Sequence, residues 1–201
     1  MIYQNGDLPI YLFSTSPRRR DLLSSIGIDF EIIPPTGEDA NFKYKSPRFY
    51  CQILAEKKLF DTLKINPIEK GFIISADTIV SLKKNIIEKP TSLEDAISIL
   101  SKLEGKWHSV FTSYCIYMPH IDKKVLRTVR TYVKFKKLKM KEIKNYIKNE
   151  NVLDKAGAYA FQGLGSFMIE KIEGSPTNVI GLPLTEVITD LLKLKAIKYK
   201  V

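Results

Sequence analysis

Apolar positions along the chain switch between a period of two and a period near 3.6, and the switches outline the elements. Residues 9–13 (PIYLF) read as a buried strand. Residues 17–26 follow at helical spacing, with Leu22, Leu23 and Ile26 inward and Gly27 as the stop. Residues 28–33 (IDFEII) form a second strand, closed by Pro34-Pro35. Ser46-Pro47 opens a helix with Phe49, Ile53 and Phe60 along one side. Residues 71–80 (GFIISADTIV) make an apolar strand that runs into a single acid, Asp77. Thr91 or Ser92 caps a helix with Glu94 and Asp95 in its first turn, an apolar face of Leu93, Ala96, Ile97, Leu100 and Leu103, and an end at Gly105. Residues 107–118 and 124–135 alternate over long stretches and predict an antiparallel hairpin. A short helix around 140–149 turns Met140, Ile143 and Ile147 inward, and residues 167–172 (FMIEKI) give another strand. Leu184, Val187, Ile188, Leu191 and Leu192 mark the clearest amphipathic helix. With no linker or repeat between these elements, the pattern predicts one α/β domain over residues 1–201, built around a mixed sheet.

Composition changes this picture little. A chain of 201 residues, 44% hydrophobic and 27% charged, is long enough for a sizeable core. The net charge of +10 suits anionic partners, whether nucleotides, nucleic acid or a membrane surface, without choosing among them. Cys51 and Cys115 have no metal-finger or C-x-x-C spacing, which predicts a reducing compartment. No signal-peptide pattern and no apolar run near the ~20 residues of a membrane span is visible, so a cytoplasmic location with no membrane partner is expected.

The chemistry is concentrated in a few segments. In STSPRRR, residues 14–20, Arg18, Arg19 and Arg20 crowd a helix start, where a cation costs roughly 0.3–1 kcal/mol. Either the run is solvated, or an anion sits there on helix N–H groups and guanidinium forks. Asp77 either caps a turn with Thr78 or faces a ligand at a strand end. Glu38-Asp39, after the Pro-Pro break, either stays solvated or meets a metal. Lys89-Pro90 says little alone. In DKAGAYAFQGLGS, residues 154–166, small residues permit close backbone approach while Asp154, Lys155 and Gln162 supply polar contacts; a simple Gly-rich turn is the alternative. Neither a P-loop nor a dinucleotide fingerprint is present. With His108 and His120 the only histidines, a His-rich metal site is excluded, and His108 reads as a hydrogen-bonded structural residue.

Taken together, S-x-S-P-R-R, S-A-D-T-I-V, E-K-P, L-x-G-K-x-H-x-V-x-T, D-K-A-G-A-Y-x-x-Q-G and N-V-x-G-L-P-L occur in an order and spacing that resembles the Maf family of nucleoside triphosphate pyrophosphatases, over about residues 10–192. The resemblance implies an elongated mixed sheet flanked by helices, similar to inosine triphosphate pyrophosphatases, with a cleft between two lobes. It implies hydrolysis of a nucleoside triphosphate to monophosphate and pyrophosphate with Mg²⁺ or Mn²⁺, and a homodimer that needs no nucleic acid. On it, Asp77 is the base that activates water and a metal ligand, with Glu38 and Asp39 as the other candidate ligands. Ser14, Arg18, Arg19, Lys58 and Lys89 match phosphate-side positions, leaving Arg20 to solvent. Arg18, Thr78 and Gln162 match the pattern of members acting on dTTP and UTP, not that of members acting on 7-methyl-GTP. Phe13 and Thr15 depart from the small residues usual beside the phosphate loop, which could tighten it, and Glu38-Asp39 stands where Asp-Glu is usual. Another base preference, or a non-catalytic role in septum formation or nucleic-acid binding, is the competing expectation.

Overall fold

In the computed structural model, residues 2–36 and 46–200 are described. Their order is β1 (Tyr3–Asn5), β2 (Ile10–Phe13), α1 (Pro17–Ser24), β3 (Glu31–Ile33), α2 (Pro47–Ile65), β4 (Phe72–Leu82), β5 (Asn85–Ile87), α3 (Leu93–Leu103), β6 (Trp107–Met118), β7 (Lys123–Phe135), α4 (Met140–Asn149), β8 (Ile169–Glu173), α5 (Pro176–Ile180), α6 (Leu184–Lys193) and β9 (Ile197–Tyr199). The main sheet runs β3-β2-β4-β6-β7-β8, with β5 also paired to β4. β2 is parallel to β3 and β4, whereas β4, β6, β7 and β8 pair antiparallel in succession. This is the mixed sheet flanked by helices that the sequence predicts. No helix among the described residues is long and apolar enough to cross a membrane.

One register detail creates the site. β6 follows β4 from Ile73 to Ser81 along one edge. On the other edge β2 stops opposite Ser75, and β5 begins only at Val80. Ala76 to Ile79 therefore face a gap beside the C-terminal end of a parallel strand, the place where α/β sheets gather ligands. Asp77 is thus mid-strand, not at the strand end that its position after an apolar run suggests. Antiparallel pairing with β6 carries β4 past it.

The pleat sorts what surrounds that gap. On one face Ile74, Ala76, Tyr114 and Ile116 join Leu12, Leu23, Val187 and Leu191 in one core. Farther along the same face, Val80, Val110 and Val133 pack with Leu100, Leu103 and Ile143 in a second. Thr78 and its cross-strand partner Thr112 interrupt the two. The opposite face is covered by α2, whose buried stripe is Tyr50, Cys51, Ala55, Lys58, Leu59 and Thr62. Phe49 is 42% exposed, while Phe60 packs partly buried against Phe13, Leu59, Ile73 and Cys115, so the expected Phe49–Ile53–Phe60 side only borders the inner stripe. Leu93 and Met140, each 49% exposed, sit at the first turns of α3 and α4 and likewise lie outside the core. Ser46 and Ser92 cap their helices by accepting from Phe49 N at 3.3 Å and Asp95 N at 3.1 Å.

His108 is a buried member of β6, hydrogen-bonded through Nε2 to the Tyr159 hydroxyl at 2.7 Å and edge-on to Phe135. Burial lowers its pKa from 6.5 to about 4, against a smaller opposing contribution from a backbone hydrogen bond at Lys106. Between these values the unfolded chain binds a proton that the folded one refuses, so stability falls as pH drops through this window. Moving from pH 7.5 to pH 5 is expected to remove about 2 kcal/mol on this account. Carboxylates held low by lysines, such as Asp61, titrate below that window. Thermal melts at the two pH values, on the parent and on His108→Gln, check it: the variant should lose most of the dependence, and an unchanged dependence would remove His108 as its source.

Candidate active site

Asp77 and Thr78, adjacent on β4, project to opposite faces of the sheet beside the gap. Asp77 points toward α2, where Lys58 Nζ donates to its Oδ1 at 2.7 Å. The Lys58 side chain is 10% exposed and that of Asp77 20%. A lysine on an apolar helix stripe and a carboxylate in a sheet would each be costly alone, and here each is the other's partner. The backbone beneath is held too: the Cys51 thiol donates to the Asp77 carbonyl at 3.3 Å. Burial first, and the Asp77 charge second, push that thiol up to about 12. It therefore remains a protonated donor and is no nucleophile.

Thr78 points to the face where α1 begins. The three arginines fan out there as helical geometry requires. Arg19 is buried, donating from Nε to Gly181 O at 2.8 Å and from Nη2 to Thr78 Oγ1 at 3.0 Å. Arg18 is half-buried and reaches Asp154 at 3.7 Å, across the cleft. Arg20 turns to solvent beside Asp21, as expected. The start of α1 is not closed by the Ser16 side chain; instead Ser14 Oγ accepts from Ser16 N at 3.1 Å. Phe13 packs in the core with Leu59, Ile73 and Cys115, while Thr15 lines the cleft.

The resulting cleft holds about 690 Å³, within the usual range for a small-molecule site. Ser14, Arg18, Arg19, Lys58, Asp77, Thr78, Lys89 and Gln162 all line it. The sequence-derived candidates from five separated segments are thus brought together. Glu38 and Asp39 lie outside the described residues. Among the described residues, no group of three or more Asp, Glu, His or Cys is arranged to hold a metal ion.

Sequence reasoning missed Gly181. At φ +128° it ends α5, and an added Cβ would lie 3.5 Å from Thr78 Oγ1 and 3.6 Å from Arg19 Nε. Glycine is needed there for the backbone conformation, and its carbonyl orients Arg19. The glycine of N-V-x-G-L-P-L was the available signal. Lys155 has a structural task within D-K-A-G: it is buried and bonds Asp154 Oδ1 at 2.9 Å, Glu150 Oε1 at 3.2 Å and the Asn151 carbonyl, holding together the turn that follows α4.

Comparison with known proteins agrees with this arrangement. Residues 9–194 match the Maf-like protein family. The chain belongs to the Maf family. Maf relatives include proteins named dTTP/UTP pyrophosphatase. The one from Aquifex aeolicus (strain VF5) is 41% identical over 185 residues, covering 92% of this chain and 95% of that protein. Those from Citrifermentans bemidjiense and Thermosipho africanus are each 43% identical, over 188 and 181 residues. These cover 94% and 90% of this Maf chain, and 96% and 90% of the relatives.

Proposed function

We propose that this Maf protein hydrolyses dTTP and UTP at the α–β phosphoanhydride, releasing the monophosphate and pyrophosphate. The observation that carries the reading is that one cleft is lined by a strand-borne carboxylate, Asp77, with its partner Lys58 from one helix and by Arg18 and Arg19 from another. Anhydride cleavage requires charge neutralisation of the phosphates and an oriented water. Arg18, Arg19 and Lys89, with the Ser14 hydroxyl, supply donors for phosphate oxygens. Lys58 fixes the Asp77 carboxylate through Oδ1, and Asp77 takes the proton of the attacking water. The water oxygen bonds to the α-phosphorus as the bond from that phosphorus to the bridging oxygen breaks, and pyrophosphate departs.

A divalent cation, Mg²⁺ or Mn²⁺, fits this donor set. Such ions are held by one or two carboxylates together with substrate phosphates. Asp77 would be one such oxygen ligand, and Glu38 and Asp39 are the further candidates by family resemblance. When bound, the ion neutralises charge on the phosphates. The resemblance also implies a homodimer; free, buried Cys51 and Cys115 are consistent with the cytoplasmic setting expected from the sequence.

Base selection is assigned to Gln162, at the cleft mouth, and Thr78. An amide both accepts from the N3–H of uracil or thymine and donates to a ring carbonyl. Cytosine reverses that order, and leaving polar groups unpaired costs about 1–3 kcal/mol, so CTP should be disfavoured roughly ten- to a hundredfold. Pyrophosphate release across a nucleotide panel tests this. Gln162→Ala is expected to erode the preference for UTP over CTP more than it slows CTP. A panel led by CTP or 7-methyl-GTP would overturn the base assignment.

A further inference from the structure

The Thr78 hydroxyl belongs to a run of hydrogen bonds whose direction follows from counting protons. The Asn178 carbonyl lies 2.9 Å from Thr112 Oγ1 and can only accept, so it takes the single Thr112 proton. Toward Thr78 Oγ1, also 2.9 Å away, Thr112 is then an acceptor, and Thr78 gives its proton. Thr78 Oγ1 in turn accepts from Arg19 Nη2 at 3.0 Å. The run is therefore Arg19 to Thr78 to Thr112 to the Asn178 carbonyl. Gly181 O, the other acceptor near Thr78, is 3.5 Å away and already receives Arg19 Nε at 2.8 Å.

The far end is rigid. Thr112 and Asn178 are fully buried, and the Asn178 amide donates to Val110 O at 3.1 Å and Thr131 Oγ1 at 3.0 Å, on β6 and β7. Thr78 and Thr112 are cross-strand partners, so sheet register sets their separation.

We propose that Thr112 is a positioning residue for hydrolysis, acting through Thr78 on Arg19. By taking the Thr78 proton, it leaves Thr78 only lone pairs to present to the guanidinium, which itself carries donors alone. Without Thr112 the acceptor left to the Thr78 proton is Gly181 O, 3.5 Å away and shared with Arg19 Nε, so the hydroxyl is no longer fixed and its tie on the guanidinium is weakened. The inference rests on the proposed role of Arg19 as a phosphate ligand.

The test is pyrophosphate release from dTTP by the parent and by Thr112→Val, Thr112→Ser, Thr78→Val and the Thr78→Val/Thr112→Val double variant, each checked by thermal melt. Valine keeps the shape of threonine and removes its oxygen. Thr112→Val is expected to lower kcat/KM about tenfold, the scale of one ordered hydrogen bond. Thr112→Ser should return to within about twofold of the parent, and Thr112→Val should add little in the Thr78→Val background, where the run is already cut. If Thr112→Val does not fold, Thr112→Ala takes its place in the same comparison. Parent-like activity without the hydroxyl, no rescue by serine, or independent losses in the double variant would each overturn the inference. A parent inactive on every nucleotide would instead remove the pyrophosphatase reading, and the inference with it.

Discussion

Asp77→Asn is expected to reduce turnover of dTTP by about 10²–10⁴-fold, the scale of a lost general base. Asparagine has the same size and still offers an oxygen to Lys58 Nζ, which donates to Asp77 Oδ1 at 2.7 Å in the parent. The Cys51 contact is to the backbone carbonyl and survives the change. The fold and nucleotide binding should therefore persist while proton acceptance is lost. Steady-state kinetics, with a melt and a binding titration on the same preparation, separate these effects. Near-parent turnover in Asp77→Asn would show that Asp77 takes no proton in the reaction.

The second large effect is expected at Arg19. Arg19→Ala should lower kcat/KM by about 10²–10³, as when one donor to a developing charge is removed. It also strips a donor from Gly181 O and from Thr78 Oγ1, a stability cost of about 1–3 kcal/mol. Assays well below the melting temperature keep the two apart. Arg20, exposed and paired with neighbouring Asp21, provides the control: Arg20→Ala should leave kcat/KM unchanged. Equal small losses at Arg18, Arg19 and Arg20 would return the arginine run to a solvated face. Three cations at a helix start are tolerated because Arg18 leans to Asp154 and Arg19 to Gly181 and Thr78.

Much of this was legible in the chain because the informative segments were long. The alternation on β6 and β7 and the helical spacing on α3 and α6 each extend over ten residues or more, so tertiary context had little to override. The cleft was legible in part as a polar interruption, Asp77-Thr78 within one apolar strand, whereas Thr112-Ser113 come to lie opposite them only through the strand register. Local pattern could not reveal pairings between distant short pieces. β1 and β9 are three residues each and meet antiparallel from opposite ends of the chain. β5 is also three residues, and its place on β4 is what bounds the gap at Asp77. α5 has five residues, too few for a period, yet it delivers Gly181 and Asn178. Expectation also failed where an apolar residue began a helix: Phe49, Leu93 and Met140 lie in first turns that project beyond the core. The buried Lys58 was legible through the resemblance alone, since helical periodicity gives no reason to turn a lysine inward.

The most direct test of the account is where oxygen from water ends up. Hydrolysis of dTTP in ¹⁸O-labelled water with Mg²⁺ or Mn²⁺, read by mass spectrometry, should place one label in thymidine monophosphate and none in released pyrophosphate. That outcome follows from water attacking the α-phosphorus beside Asp77. Label in pyrophosphate, or formation of the diphosphate with labelled orthophosphate, would contradict it.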